Sequence, residues 1–267
     1  MIIDRITDFR VTHAQDVIKS TWGDRVSATA KRKNLVKFGR NDSVGTSKCT
    51  LWYTGQDELN ETLVAANTNS IDSISSASGS DTMDVVVEGH TESGGNKTFV
   101  VQTVTLTGQT RAPLTTPLNR VTRVYVTGTT NNAGEIYVHQ ETSLSSGKPS
   151  DTTKIHLTVP QGGNQSQKCQ TSLSSTDYWL VTGFSAGYVE KSGTNVAEVA
   201  IEARESNGVW RPLAAPISIS TGLNSIFTFD PYLIITPNSD IRLSAIASTA
   251  SQSIVGDIRG ILAIVEQ

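Results

Sequence analysis

From Lys48 to its last residues the chain alternates runs of β-branched and aromatic residues with clusters of Gly, Asn, Asp and Ser. The turn signals return about every 8–12 residues, the spacing of antiparallel sandwiches and barrels. Residues 82–88 (TMDVVVE) lead into the cluster 92–97 (ESGGNK) and out through 98–106 (TFVVQTVTL), which predicts a long hairpin. Residues 120–127 and 134–140 read as further strands with one wet face, because apolar and polar side chains alternate along them. The second half repeats the pattern. Residues 195–204 enter the turn 205–208 (ESNG) and leave through 209–213, a weak echo of the first hairpin. The run 258–265 is apolar enough to lie centrally in a sheet. The fold class expected is all-β, made of antiparallel β-sandwich or jelly-roll-like modules, two in number.

Composition agrees with this. Of 267 residues, 37% are hydrophobic and only 18% charged, which separates the chain from disordered sequences. Residues 1–38 differ from the rest and are expected to form an extended N-terminal arm, with a short amphipathic helix possible within 2–22. Lys31, Arg32, Lys33 and Lys37 cluster there with Arg25, and Trp22 stands just before the basic run. The expected organisation is an arm over 1–38, a first β-sandwich over 39–145 and a second over 146–267.

Several kinds of chemistry fail on spacing. The stretch 39–48 (GRNDSVGTSK) carries the residue types of a phosphate loop, but five residues separate its glycines, its lysine comes three positions after the second glycine, and β-formers follow it. A phosphate loop needs four intervening residues, an adjacent lysine and a helix. The stretch reads instead as turn chemistry that ends the arm and launches the strand at 51–53, with Lys48 as a strand-edge charge. GFSAG at 183–187 matches the letters of a nucleophile elbow, yet it is followed by more β-formers and not by a helix. His13, His90, His139 and His156 show no metal-binding spacing and are expected at the surface or hydrogen-bonded in the fold. Asp84 and Glu88 share one strand face and could form a carboxylate pair, though an exposed face explains them equally well. No catalytic, cofactor-binding or metal-binding residue is assigned, and no cofactor is expected. Cys49 and Cys169 are expected to be free thiols. The formal net charge of −3 gives no general field for nucleic acid. No apolar run reaches the roughly 20 residues that span a bilayer, so no membrane partner is expected.

Short motifs in a fixed order then add a resemblance. KFGRN at 37–41, LWY at 51–53, ISSAS at 74–78 with Asp81 and Thr82, VVVEG at 85–89, TVTLTG at 103–108, NRV at 119–121 and NAGEI at 132–136 resemble a family of tailed-bacteriophage virion proteins. Beyond residue 140 only LTVPQG at 157–162 and DIRGIL at 257–262 look similar. The resemblance implies a non-enzymatic β-sandwich protein of the particle, made in the host cytoplasm and residing in the virion. Capsid decoration, or cement, is the first expectation, with the major capsid protein as partner. Self-association is expected to give a homotrimer, the common arrangement at three-fold positions of such shells. A head–tail connector or tail component is the alternative, and a host-surface or carbohydrate-binding module, suggested by Trp52, Tyr53, Trp179 and Trp210, is a further one. The residues expected to contact the capsid or neighbouring subunits are Trp22, Arg25, Lys31, Arg32, Lys33 and Lys37.

Overall fold

The structure, a computed structural model, describes residues 31–53, 68–189, 194–205, 208–249 and 251–264. The helix considered within 2–22, and Trp22 and Arg25 with it, lie outside the described residues. The chain opens with β1 (Lys31–Val44) and β2 (Cys49–Thr50). Then come β3 (Ile71–Ser76), β4 (Asp84–Ser93), β5 (Asn96–Thr105), β6 (Ala112–Leu118), β7 (Arg120–Val126), β8 (Ile136–His139), the short pair β9 (Leu144–Ser145) and β10 (Lys148–Pro149), and β11 (Ile155–Val159). The last group is β12 (Gln170–Ser172), β13 (Asp177–Tyr188), β14 (Val196–Arg204), β15 (Arg211–Pro212), β16 (Ile217–Ser220), β17 (Asn224–Ile235), β18 (Asp240–Ala247) and β19 (Gln252–Ile264). Apart from a 3-10 turn at Thr152–Lys154, every regular element among the described residues is a strand, and every pairing between strands is antiparallel. The all-β class is what the turn spacing called for.

The predicted hairpin forms as β4 and β5, registered from Asp84 against Thr105 to Ser93 against Asn96. Gly94 and Gly95 close it with φ of 58° and 80°, a left-handed pair that side chains resist. Strands β3 to β11, apart from the separate two-stranded pair β9-β10, build two sheets, ordered β11-β8-β3-β6 and β5-β4-β7, around a core that includes Ile71, Ile74, Val85, Val87, Leu118 and Val138. The sheets are laced at their edges. The Gln102 side chain donates to the Thr116 carbonyl and accepts from its N–H, both at 2.9 Å, standing in for a backbone bridge between β5 and β6. On the opposite side the segment after β11 pairs with β7, through Ser166 N–H to the Val124 carbonyl at 2.9 Å.

The second pair of sheets combines both ends of the chain. One is ordered β1-β19-β13-β17; the other is β12-β18-β14-β15, with β2 also on β18 and β16 also on β14. Between them lie Leu51, Trp179, Phe184, Ile201, Leu243 and Ile258, all nearly inaccessible to solvent. Burying a residue of this kind contributes about 1.5–3 kcal/mol each.

This pairing corrects the expected division at 38/39 and 145/146. The stretch 31–38 is no free arm: β1 runs residue for residue against β19 from Lys31 opposite Ile264 to Asn41 opposite Ile254. Strands β3 to β11 are therefore inserted between β2 and β12, and β11, assigned by sequence to the second module, pairs with β8 in the first. The physical reason is that the apolar β19 needs a neighbour on each edge, and β1 supplies one with Leu35 facing the core. Sequential strands are neighbours only about two-thirds of the time, so chain order alone could not reveal this closure.

The stretch 39–48 is corrected in the same way. Gly39 lies inside β1, where a Cβ would sit 2.1 Å from the Leu51 carbonyl oxygen and 2.4 Å from the Cys169 nitrogen. It permits two backbones to cross; it makes no turn. The chain turns only at 45–48, after an irregularity in β1 where Asn41 Oδ1 accepts from Ser43 N–H at 2.9 Å and the Asn41 amide donates to the Thr50 carbonyl at 3.1 Å. Lys48 is ion-paired with the buried Glu202 at 2.7 Å.

Candidate functional site

A strand turns successive side chains to opposite faces, so β1 splits the basic run that sequence had treated as one patch. Lys33 and Lys37 share the face that bears Leu35. Lys33 is exposed, with its ammonium 5.6 Å from the centre of the Phe99 ring. Lys37 is buried and donates to the Thr122 carbonyl at 2.8 Å, so it is withdrawn from any outer contact surface. Arg32, half-buried, lies on the opposite face with Asn34, Val36, Phe38 and Arg40. Lys31 begins the strand opposite Ile264.

The face carrying Val36 is the outer surface of the four-stranded sheet. Val36, Phe38 and Ile226 are 53%, 42% and 70% exposed there, and Tyr178, Leu180, Tyr232, Ile234 and Ile261 form a satellite cluster beside them. Strands β1, β13, β17 and β19 together line an open depression of about 820 Å³ on this side. Arg259 pairs with Asp257 at 2.5 Å and Arg40 with Asp42 at 2.6 Å, and the exposed Asp230 also lines the depression. The outer face of a solvated sandwich is ordinarily polar, so exposed apolar side chains spread over several strands mark a contact surface.

The two pairs of sheets meet across a charged seam that sequence reasoning missed. Asp240, fully buried at the start of β18, accepts from Lys97 Nζ at 2.7 Å and Ser172 Oγ at 2.6 Å on one oxygen. Its other oxygen takes Arg204 Nε at 3.0 Å and Arg120 Nη2 at 3.3 Å. Burial alone would raise the Asp240 carboxyl; Arg120 and Lys97 overcome it and hold the group well below the usual carboxylate range. Lys97 also donates to the Asn238 carbonyl at 2.7 Å. The signal available in sequence was faint, a lysine and an arginine at positions whose alternation turns them inward.

Three histidines expected at the surface or hydrogen-bonded are buried. His139 is satisfied: its Nδ1 accepts from Glu141 N–H at 3.2 Å, which leaves the proton on Nε2 to donate to Ser75 Oγ at 3.1 Å, and Ser75 donates to the Gly147 carbonyl at 2.7 Å. That chain runs in the wrong direction for nucleophile activation, since a general base must accept the serine proton. Among the described residues, His90 has no hydrogen-bond partner on either ring nitrogen and His156 none on Nε2. The remaining candidates also have structural partners. Ser185 of GFSAG lies in mid-strand and donates to Asp257 at 2.5 Å. Asp84 accepts from Thr105 Oγ1 at 2.5 Å, whereas Glu88 sits 3.7 Å from Arg123, so the two carboxylates do not act as a pair. Cys49 and Cys169 are buried free thiols, and burial pushes the Cys169 thiol far above its ordinary value. No group of His, Cys, Asp and Glu among the described residues has the makings of a metal site, and none of their helices is long and apolar enough to cross a membrane.

The aromatic residues are committed to the fold. Trp52 and Trp179 are 1% and 0% exposed. Tyr53 donates to Glu135 at 2.6 Å, and the Trp210 ring lies 4.5 Å and 4.3 Å from the guanidinium groups of Arg204 and Arg242.

No family model matches this chain, and no curated protein matches it. Among solved structures it is similar to that of infectious bursal disease virus Gx strain, with 9% identity, 90% of this chain and 74% of that chain covered, and a TM-score of 0.24. It is also similar to the infectious bursal disease virus VP2 subviral particle, with 11% identity, 90% and 73% coverage and a TM-score of 0.21. TM-scores this low fall short of a common overall fold.

Proposed function

We propose that this chain is a non-enzymatic structural protein of a tailed-phage virion, a decoration protein that lies on the outer capsid shell and bridges neighbouring shell subunits. The ordered motifs between residues 37 and 136 support the virion assignment. The observation that carries the docking role is the outer face of β1, β19, β13 and β17, where Val36, Phe38 and Ile226 stand exposed beside a half-buried apolar cluster. A decoration protein holds its shell through many modest contacts repeated by symmetry, and such a face offers them without deep pockets or reactive groups. A homotrimer would triple the contact area at a three-fold position. The glycan-binding alternative loses its motive, because Trp52 and Trp179 are core residues, Tyr53 is held by Glu135 and Trp210 is clasped by arginines.

Quantitative protein measurement on purified virions tests this reading. Decoration requires a copy number on the order of hundreds per particle. A ring-sized count of about a dozen or fewer would overturn it in favour of a connector or tail component. Val36→Asp and Ile226→Asp, both at exposed positions, are expected to leave folding unchanged and to abolish recoating of stripped particles.

A further inference from the structure

Beside the seam, a crevice of about 440 Å³ separates β1, β12 and the end of β19 from the face of the β5-β4-β7 sheet. That volume is within the range of small-ligand sites, which favour such junctions. Its apolar lining comes from Leu35, Phe99, Leu173, Leu262 and Ile264. Among the buried polar side chains that line it, Lys37 and His90 are short of partners. Lys37, 8% exposed, has three ammonium protons and spends one on the Thr122 carbonyl; among the described residues no carboxylate lies within ion-pair distance of it. His90, 2% exposed and tilted against Phe99 with ring centres 5.3 Å apart, has both nitrogens without a partner among the described residues. Buried cations are normally matched by an anion, and buried imidazoles normally hydrogen-bond.

The surrounding charges leave that demand open. Lys97 and Arg120 face His90 but are occupied by Asp240 behind it. Glu88, the carboxylate that most affects Lys37, faces Arg123. Asp177, also on the crevice wall, accepts from Ser174 N–H. Lys33 adds a further cation at the mouth. Burial lowers the Lys37 ammonium to about 8, so it is still mainly charged at neutral pH, and burial with the neighbouring Lys97 keeps His90 neutral. A neutral imidazole has one N–H to give.

We propose that this crevice is a binding site for a small carboxylate with an apolar body, its oxyanion seated on the Lys37 ammonium and the His90 N–H and its body against Leu35, Leu173 and Ile264. Lys37 keeps two N–H donors and His90 one, a set that a single carboxylate with its two oxygens matches, whereas a phosphate group, with more oxygens and more charge, would need more.

Butyrate, n-butanol and inorganic phosphate, each titrated into the full-length protein at pH 7 while the His90 ring and lysine ε-methylene NMR signals are followed, test the proposal. Butyrate is expected to shift the Lys37 and His90 signals saturably, and Lys37→Met to weaken it at least about tenfold, the loss for one charge-assisted hydrogen bond. Absence of a saturable shift, equal binding of n-butanol, tighter binding of phosphate, or unchanged affinity in Lys37→Met would each overturn it. Should Lys37→Met fail to fold by circular dichroism, His90→Phe, which keeps the ring volume, is the second variant; butyrate affinity equal to that of the parent protein would then refute the site.

Discussion

Acidification from pH 7 to pH 5 is expected to destabilise the inserted sheets ahead of the rest of the molecule. His90 on β4, His139 on β8 and His156 on β11 all belong to that part, and burial is the leading cause that lowers them, to about 3, about 4 and about 3, from an ordinary 6.5. Below pH 6.5 an unfolded chain takes up these protons and the folded one does not, so stability falls as pH falls from 6.5 to about 4 for His139 and to about 3 for His90 and His156, and this contribution is fully present above the window. One pH unit is about 1.4 kcal/mol per group. At pH 5 each histidine therefore removes roughly 2 kcal/mol, and the three together about 6 kcal/mol, comparable with the whole stability of a typical domain. Below about pH 4.5 the carboxylates of Asp240 and Glu202, held low by their cation partners, add to the loss. Urea unfolding at pH 7, 6 and 5, followed by tryptophan fluorescence and far-UV circular dichroism, measures this directly. His156→Gln is expected to remove about a third of the pH dependence. Equal unfolding free energies at pH 7 and pH 5, or an unchanged slope in that variant, would refute the argument.

Other outcomes follow from single contacts. Asp240→Asn leaves Lys97, Arg120 and Arg204 facing no buried anion and is expected to cost about 3–5 kcal/mol; the double variant Asp240→Leu with Lys97→Met should recover part of the loss in a thermal melt. Gly39→Ala drives a Cβ into the Leu51 carbonyl and the Cys169 backbone, so a loss of roughly 1–3 kcal/mol or more is expected in urea titration, whereas Gly94→Ala, with open space around it, should show only the strain of its positive φ. Phe184→Ala opens a cavity beside Phe227 and Phe229 and should lower stability by about 3–5 kcal/mol, measured by calorimetry.

Individual strands were legible because their signals are local. The β4–β5 hairpin announced itself through two runs of β-formers on either side of the turn cluster around Gly94 and Gly95, and β19 through an apolar run that suits a strand paired on both edges. The free thiols followed from cysteine count and separation. Lys37 was the misleading case: with Lys31, Arg32 and Lys33 it read as part of a solvated basic arm, and only the alternation of a paired strand turns it inward. His90 carried no warning at all, since its burial depends on a sheet face that closes against β12 and the end of β19.

By itself, then, the sequence determined the class of structure, the main hairpin with its Gly94-Gly95 turn and the lack of a phosphate-loop spacing, because each depends on residues near one another in the chain. Tertiary structure decided which strands are neighbours, that β3 to β11 are inserted between the two halves of one sandwich, and that Asp240 gathers cations from three strands at the seam. Those depend on contacts between residues as distant as Lys97 and Asp240, or Lys31 and Ile264, whose free energy exists only once the chain has closed on itself.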